Sequence, residues 1–208
     1  VEFFRSARLR KSAHRPLWLE ILIVIRRRWL AALGMAIVVG SSARGAERGN
    51  ARELAKKAAD AVLRDFPQPP EFNWGEGVML AGMLRAYELT GDQRYLDFVR
   101  RFADHWSEKG IQATLNQRGY CGHWGPGYPL LLLYEKTRNP KHLGLAQEIL
   151  DFMLRKAERT RDGGLSHFRG KPQLWVDTLD MCVPVLATAA RIMGRPELQA
   201  EATRQLEV

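Results

Sequence analysis

Cysteine is scarce in this sequence, which has only Cys121 and Cys182 among its 208 residues. Two cysteines cannot build a disulfide framework, so the small cysteine-rich class of secreted domains is excluded. Cys182 follows Met181 within a helical pattern, which indicates a buried free thiol. In an exported protein the two cysteines could instead pair with each other.

Strand patterns and the common catalytic fingerprints are missing as well. No segment alternates apolar and polar residues convincingly over the length of a strand, which favours an all-α class. The sequence has no P-loop, no dinucleotide-binding glycine motif and no G-x-S-x-G nucleophile motif. Neither His123 nor His167 has a ligand-type residue three or four positions away, so we predict no metal site and no cofactor.

The net charge of +9 belongs almost entirely to the N-terminal segment. Residues 1–48 carry ten Lys or Arg and three Asp or Glu, a net charge of +7, which leaves only +2 for residues 49–208. The body of the chain therefore has no basic stripe that could follow a phosphate backbone, and we predict no nucleic-acid partner.

The N-terminal segment has the layout of a secretory signal peptide over residues 26–46. Arg26–Arg28 precede an apolar run, and small residues follow. The apolar run holds about 12 residues, whereas a bilayer span needs about 20, so we predict cleavage after Ala43 rather than a stable membrane anchor. The mature protein would then be secreted or periplasmic. The upstream residues 1–25 receive no fold prediction.

From Asn50 onward, apolar residues recur at helical spacing, which predicts about seven helices. Residues 84–96 (LRAYELTGDQRYL) and 131–143 (LLLYEKTRNPKHL) repeat one pattern at a shift of 47 residues. Residues 191–198 (RIMGRPEL) form a weaker third copy. Each copy contains an apolar helix, a tight turn and an amphipathic helix, so the sequence predicts an array of α-hairpins.

Long loops precede the apolar helices of this array, whereas its other ends are tight turns. The loops contain NWGEG at 73–77, YCGHWGPGY at 120–128 and SHFRGKPQLWVD at 166–177. Because all three lead into equivalent helices, we expect them at one end of the array, where function tends to lie. They would bring together seven candidate site residues: Trp74, His123, Trp124, His167, Arg169, Trp175 and Asp177.

These residue types suit a carbohydrate ligand. Indole rings stack on sugar rings, and indole N–H and charged groups can orient a ligand. We therefore interpret the three tryptophans as a sugar platform and His123, His167 and Arg169 as groups that orient a substrate. Each residue also has a structural interpretation, since such tryptophans are often half-buried packing residues and loop histidines often bond to the backbone.

Asp177 likewise has two interpretations. An aspartate followed three residues later by another, Asp180, is typical of a helix N-cap with an acidic residue in the first turn. Alternatively, Asp177 is the acid of an active site, in which Trp175 and the two histidines surround it.

A resemblance to a known family favours the second interpretation. The segments DGGLSHF (162–168) and QLWVDTLDM (173–181), the GxxLLxLYExT pattern at 127–137 and the TGDQRYL turn at 90–96 carry it. They resemble the unsaturated glucuronyl and rhamnogalacturonyl hydrolases of glycoside hydrolase families 88 and 105. The resemblance spans roughly residues 70–200 and implies an (α/α)6 barrel of six hairpins. Residues 47–208 would form the N-terminal part of this barrel, truncated before the remaining hairpins.

The resemblance also implies a reaction and assigns a role to Asp177. Family members act on oligosaccharides that end in a uronic acid with a C4=C5 double bond, which they protonate and hydrate. Their proton donor falls on Asp177, and a pectin or rhamnogalacturonan type of substrate is favoured. The carboxyl must hold its proton at the working pH, which a partly buried position beside Trp175 would favour. The second aspartate of the family is absent from the CGHWGPG loop, where His123 lies nearest.

Two other classes of function are compatible with the sequence. One is a neutral-sugar glycosidase or epimerase on a similar helical toroid, which would need a second carboxylate across the pore. The other is a non-catalytic helical repeat module that binds a protein or a glycan.

Overall fold

The computed structural model describes residues 45–66 and 69–208. The predicted signal peptide (26–46) and the upstream segment (1–25) lie outside these residues, except for residues 45 and 46, which begin the first helix. No helix in the described part of the chain is long and apolar enough to cross a membrane.

The described residues form helices joined by turns and loops, which confirms the predicted all-α class. In chain order the helices are α1 (Gly45–Asp65), α2 (Trp74–Thr90), α3 (Gln93–Lys109), α4 (Gln112–Asn116), α5 (Gly127–Thr137), α6 (Pro140–Arg155), α7 (Val176–Met193) and α8 (Pro196–Glu207). A 3-10 turn, Cys121–Trp124, lies between α4 and α5.

The predicted repeat corresponds to three helical hairpins: α2–α3, α5–α6 and α7–α8. Each first helix ends at a residue with left-handed backbone, namely Gly91 (φ 75°), Arg138 (φ 54°) and Gly194 (φ 63°). In the first two hairpins the next helix begins with a side-chain cap. Asp92 and Asn139 each accept a hydrogen bond from the backbone N–H two residues further on. The tight turns are therefore built in the same way in both clear copies of the repeat.

The first helices of the hairpins, α2, α5 and α7, lie side by side, and α3 and α6 pack together behind them. One apolar core joins the helices, and its fully buried side chains include Leu84, Phe102, Leu131, Ile149 and Val185. Burial of side chains of this size stabilises the fold by about 1.5–3 kcal/mol each. The hairpin row thus provides a packed scaffold, and the long loops lie at one of its ends.

The predicted loop between α3 and α5 contains more structure than the sequence indicated. It forms the short helix α4 and the 3-10 turn, so residues 45–66 and 69–208 contain eight helices where the sequence predicts about seven. Ile111 and Leu115 are fully buried there, and their burial stabilises a helical turn within an otherwise polar segment. Helix α2 also begins earlier than predicted, because the side chain of Asn73 accepts a hydrogen bond from the N–H of Trp74 at 2.9 Å.

Both cysteines are free and buried. The prediction of a buried free thiol at Cys182 is confirmed, and the alternative pairing with Cys121 is absent from this structure.

Candidate active site

The three segments that carry the predicted site residues meet at one end of the hairpin row. The backbone N–H of Cys121 donates to the carbonyl of His167 at 3.1 Å, which joins the second segment to the third. Gly125 joins the second segment to the first. A Cβ placed on Gly125 would lie 3.0 Å from Cα of Trp74 and 2.8 Å from Sδ of Met181. The close approach of these segments therefore depends on glycine at position 125.

Helix α7 places Asp177 in its first turn. The N-cap is Trp175, which makes no side-chain capping bond, and Asp180 lies beyond the first turn. The interpretation of Asp177 as the N-cap is therefore corrected, although a first-turn carboxylate still gains about 0.3–1 kcal/mol from the helix dipole. Its side chain is 58% exposed, so the described residues do not provide the partial burial expected beside Trp175.

The imidazole of His167 stacks on the indole of Trp175. Their ring centroids are 4.3 Å apart and their planes differ by 12°. His167 is buried, whereas Trp175 is 47% exposed, so the stack has one closed side and one open side. Oδ1 of Asp177 lies 3.7 Å from Nδ1 of His167. A solvent-exposed indole beside a carboxylate is an arrangement that can hold a sugar ring near an acid.

Ser166 fixes the loop that carries this stack. Its hydroxyl donates to the carbonyl of Phe168 at 2.7 Å and accepts from the N–H of Gln173 at 3.2 Å. The N–H of His167 donates to the carbonyl of Gln173 at 2.8 Å. The indole N–H of Trp175 donates to the side-chain oxygen of Gln173 at 3.1 Å. The two stacked rings are therefore positioned by hydrogen bonds within their own loop.

The DGG turn before this loop is held by α8. Gly163 has φ 93°, and the turn is closed by an antiparallel bridge between Arg159 and Leu165. The carbonyl of Gly163 accepts hydrogen bonds from three side chains: Arg159 at 2.8 Å, Arg204 at 3.1 Å and Gln205 at 3.3 Å. The buried Gln205 also accepts the N–H of Leu165 at 2.7 Å. Helix α8 thus anchors the turn that leads to His167.

Two buried polar groups that were not among the predicted site residues contact Nδ1 of His167. Sγ of Cys121 and Oγ1 of Thr178 each lie 3.1 Å from this nitrogen. Burial raises the pKa of the Cys121 thiol to about 12, so it stays protonated at neutral pH. Both residues lie in segments that the sequence analysis quoted. Sequence alone does not show that residues 57 positions apart share one histidine.

Tyr120 adds an aromatic layer that the sequence analysis also missed. Its ring lies edge-on to His123 and His167, with centroid distances of 5.4 and 5.3 Å, and stacks on Phe168 at 5.4 Å. Burial raises the pKa of Tyr120 to about 12. In the sequence, the one sign of this role is that Tyr120 opens the YCGHWGPGY segment, in which His123 and Trp124 lie between two glycines.

Trp124 and His123 lie deeper than predicted. Trp124 is fully buried, and His123 is 7% exposed. The 3-10 turn packs against both α2 and α7, which places these rings in the interior. The assignment of Trp124 to the sugar platform is therefore corrected, since its ring has no open face. Burial also lowers the pKa of His123, so the neutral imidazole is favoured. Because so little of the His123 side chain is exposed, it has little surface with which to orient a substrate.

Trp74 and Arg169 are accessible, as their predicted roles require. Trp74 is 36% exposed at the start of α2. Arg169 is an exposed residue whose N–H donates to the carbonyl of Arg118 at 2.9 Å. A Cβ placed on the neighbouring Gly119 would lie 3.2 Å from Cβ of Arg169, so glycine leaves room for this side chain. Substrate contacts by Trp74 and Arg169 stay predictions.

The fold and the site together define a class of protein. The chain is an array of helical hairpins that presents a carboxylate, a buried histidine and an exposed tryptophan at its loop end, as expected of a carbohydrate-active helical toroid. The profile of Glycosyl Hydrolase Family 88 matches residues 46–208, and the chain belongs to this family.

Individual relatives agree with this assignment. The chain is 29% identical over 150 residues to the unsaturated rhamnogalacturonyl hydrolase YesR of Bacillus subtilis (strain 168), a match that covers 69% of this chain and 42% of YesR. Two crystal structures described as possible members of the GH105 family are also similar. The one from Salmonella enterica serovar Paratyphi A has a TM-score of 0.54 and 32% identity. The one from Klebsiella pneumoniae has a TM-score of 0.54 and 27% identity.

The chain spans less than half the length of each of these relatives. Each structural match covers 65% of this chain and 35% of the other chain.

Proposed function

We propose that the protein hydrolyses oligosaccharides that end in an unsaturated uronic acid, with rhamnogalacturonan-derived sugars as the favoured substrates. Membership of Glycosyl Hydrolase Family 88 supports a glycosidase, and the similarity to YesR supports this substrate class. The observation that carries the proposal is the position of Asp177, 3.7 Å from a histidine that stacks on the exposed Trp175.

The proposed reaction begins with proton transfer to the double bond. The C4=C5 bond of the terminal uronic acid is part of a vinyl ether, because the ring oxygen is attached to C5. The carboxyl group of Asp177 donates its proton to C4, and the positive charge that develops at C5 is shared with the ring oxygen. General acid catalysis of this kind contributes about 100- to 10,000-fold in rate.

The reaction ends with hydration and release. Water adds to C5 and gives a proton to the carboxylate of Asp177, which restores the acid. The hemiketal at C5 then opens to a ketone, and the hemiacetal left at C1 releases the rest of the sugar chain. One carboxyl group serves both proton transfers, so the sequence needs no second aspartate in the CGHWGPG loop. The 58% exposure of Asp177 suits the second transfer, in which water must reach the carboxylate.

The neighbouring groups would hold the substrate. The indole of Trp175 provides the face for the unsaturated ring, and the buried His167 beneath it keeps that indole in place. The guanidinium of Arg169 can pair with the uronate carboxylate, since it is exposed on the same loop. Trp74 would contact the next sugar from the start of α2.

The proposal is tested by turnover of matched disaccharides with the full-length protein. Loss of the ultraviolet absorbance of the double bond is followed for an unsaturated rhamnogalacturonan disaccharide and an unsaturated glycosaminoglycan disaccharide. A saturated counterpart is followed by chromatography of its products. We expect turnover of the unsaturated sugars only, with the rhamnogalacturonan disaccharide turned over faster. Cleavage or epimerisation of the saturated sugar would indicate the neutral-sugar enzyme instead. Binding without any turnover would indicate a non-catalytic module.

A further inference from the structure

Three buried side chains form a closed hydrogen-bonding group beside the candidate acid. Oγ1 of Thr178 and Sγ of Cys121 each lie 3.1 Å from Nδ1 of His167, and they lie 3.7 Å from each other. Oδ1 of Asp177 lies 3.7 Å from the same nitrogen. The protonation of Nδ1 therefore decides whether Asp177 faces an N–H group or a lone pair.

A count of donors and acceptors selects one arrangement of hydrogens. The thiol and the hydroxyl have one hydrogen each, and a neutral imidazole carries one hydrogen on either nitrogen. If Nδ1 has a lone pair, Thr178 donates to Nδ1 and Cys121 donates to Oγ1, so both hydrogens are used. If Nδ1 carried the hydrogen, Nδ1 would donate to Oγ1 and the hydroxyl to Sγ. The S–H would then have no acceptor within the group.

We propose that Cys121 and Thr178 are positioning residues that keep the proton of neutral His167 on Nε2, so that Nδ1 presents no N–H to Asp177. An N–H at this position would favour the ionised carboxylate, whereas a lone pair disfavours it. The arrangement therefore helps Asp177 to keep the proton that it donates, even though its side chain is 58% exposed. The link to proton donation rests on the proposed function, whereas the tautomer itself does not.

The other titratable groups near this nitrogen do not oppose the effect. Tyr120 and Cys121 stay neutral at neutral pH, because burial raises the pKa of each to about 12. His123 on the same 3-10 turn favours its neutral form, because burial lowers its pKa. Arg169 and Asp180, the charged residues nearest along the loop and along α7, are exposed, and neither makes an ion pair with the group in the described structure.

Nitrogen-15 NMR of the histidine-labelled full-length protein reads the tautomer without an activity assay. The His167→Gln variant assigns the signals of His167. We expect the hydrogen on Nε2 in the native protein and in Cys121→Ser/Thr178→Ser, which keeps both donors. In Cys121→Ala/Thr178→Val, which removes both donors, we expect it to move at least partly to Nδ1. A native spectrum with the hydrogen on Nδ1 would overturn the proposal.

The pH dependence of kcat/KM tests the link to Asp177. A general acid acts only while it holds its proton, so activity falls as pH rises. In Cys121→Ala/Thr178→Val we expect the pH of half-maximal activity to move down by about half a unit or less, because the 3.7 Å contact is longer than a hydrogen bond and water screens a carboxylate that is 58% exposed. The double serine variant should restore the native profile. Thr137→Val is the matched control, because Thr137 makes the same 3.1 Å contact with Nδ1 of His142 at the tight-turn end.

The outcomes separate the two proposals. A changed tautomer with an unshifted profile would overturn the role of Cys121 and Thr178 in keeping the proton on Asp177. If the native protein has the hydrogen on Nε2 but turns over no unsaturated sugar, the proposed function is overturned and the hydrogen-bond assignment stands.

Discussion

The carboxylate of Asp177 lies 3.7 Å from the imidazole of His167, although the two residues belong to different elements, a helix start and the loop before it. The loop position of His167 is set by its backbone bonds to Gln173 and Cys121, and Asp177 is placed by the first turn of α7. The N-cap of that helix is Trp175. N-capping therefore does not explain Asp177, and the proposed role of this residue as the proton donor rests on its place beside the histidine–tryptophan stack.

Trp175→Ala should raise KM for the unsaturated disaccharide by about tenfold, because it removes the ring on which the sugar would stack. Stability should change little, since the side chain is 47% exposed. Trp175→Phe keeps an aromatic face and should lose less. Steady-state kinetics of both variants checks this expectation, and an unchanged KM in Trp175→Ala would remove the indole from the substrate site.

Two glycines within helices should respond to alanine in opposite directions. A Cβ on Gly77 in α2 would lie 2.6 Å from the backbone carbonyl carbon of Gly125, so Gly77→Ala forces the two loop segments apart. We expect a loss of several kcal/mol in the free energy of unfolding, as for severe overpacking. Gly144 in α6 has open space around it, and Gly144→Ala should gain about 0.5–1 kcal/mol. Urea denaturation of the two variants measures both effects. A stable Gly77→Ala protein would contradict the described contact.

The DGG turn offers a second matched pair. Gly163 (φ 93°) and Gly170 (φ 84°) both have backbones that favour glycine, but only a Cβ on Gly163 would meet Nη1 of Arg204, at 2.5 Å. Gly170→Ala should cost about 1–2 kcal/mol from backbone strain alone. Gly163→Ala should cost somewhat more, because Nη1 of Arg204 must move and lose its 3.1 Å hydrogen bond to the carbonyl of Gly163. Gly163→Ala should also lower turnover, because the turn leads to His167. Equal losses of stability in thermal unfolding would show that the contact with Arg204 is unimportant.

The helical hairpins could be predicted from the sequence because their signals are local. Apolar spacing defines the helices, and the turns after Thr90 and Thr137 carry their own capping residues, Asp92 and Asn139. The repeat also predicts that the three loops lie at one end of the hairpin array, because each loop leads into an equivalent helix. Those features need no knowledge of long-range packing.

The details of the site depended on contacts that no local pattern shows. The sequence predicts Trp124 as part of a sugar platform, but the 3-10 turn that contains it packs against α2 and α7 and buries its ring. Asp177 resembled an N-cap, but the extended backbone at Trp175 starts the helix two residues earlier. The contact of Cys121 with His167 required the folded loops to be side by side.

Acidification should destabilise the protein through its buried histidines. Burial lowers the pKa of His123, His142 and His167. Their neutral forms therefore favour the folded state. This contribution is complete above the ordinary histidine pKa of about 6.5 and is lost as pH falls from there through the lowered folded-state values. Urea denaturation across this range should show a free energy of unfolding that becomes smaller as the pH falls. His123→Asn should weaken the dependence, and an identical slope in both proteins would contradict this account.

Turnover by Asp177→Asn tests the central claim most directly. Asparagine keeps the size of the side chain, and loss of the first-turn charge should cost at most about 1 kcal/mol of stability. Because the amide cannot donate a carboxyl proton, loss of the ultraviolet absorbance of the unsaturated disaccharide should slow by about 100-fold or more. Asp180→Asn, which removes a charge further along the same helix, should turn over the substrate like the native protein. Normal turnover by a folded Asp177→Asn protein would contradict the account and leave Asp177 with only a role in helix electrostatics.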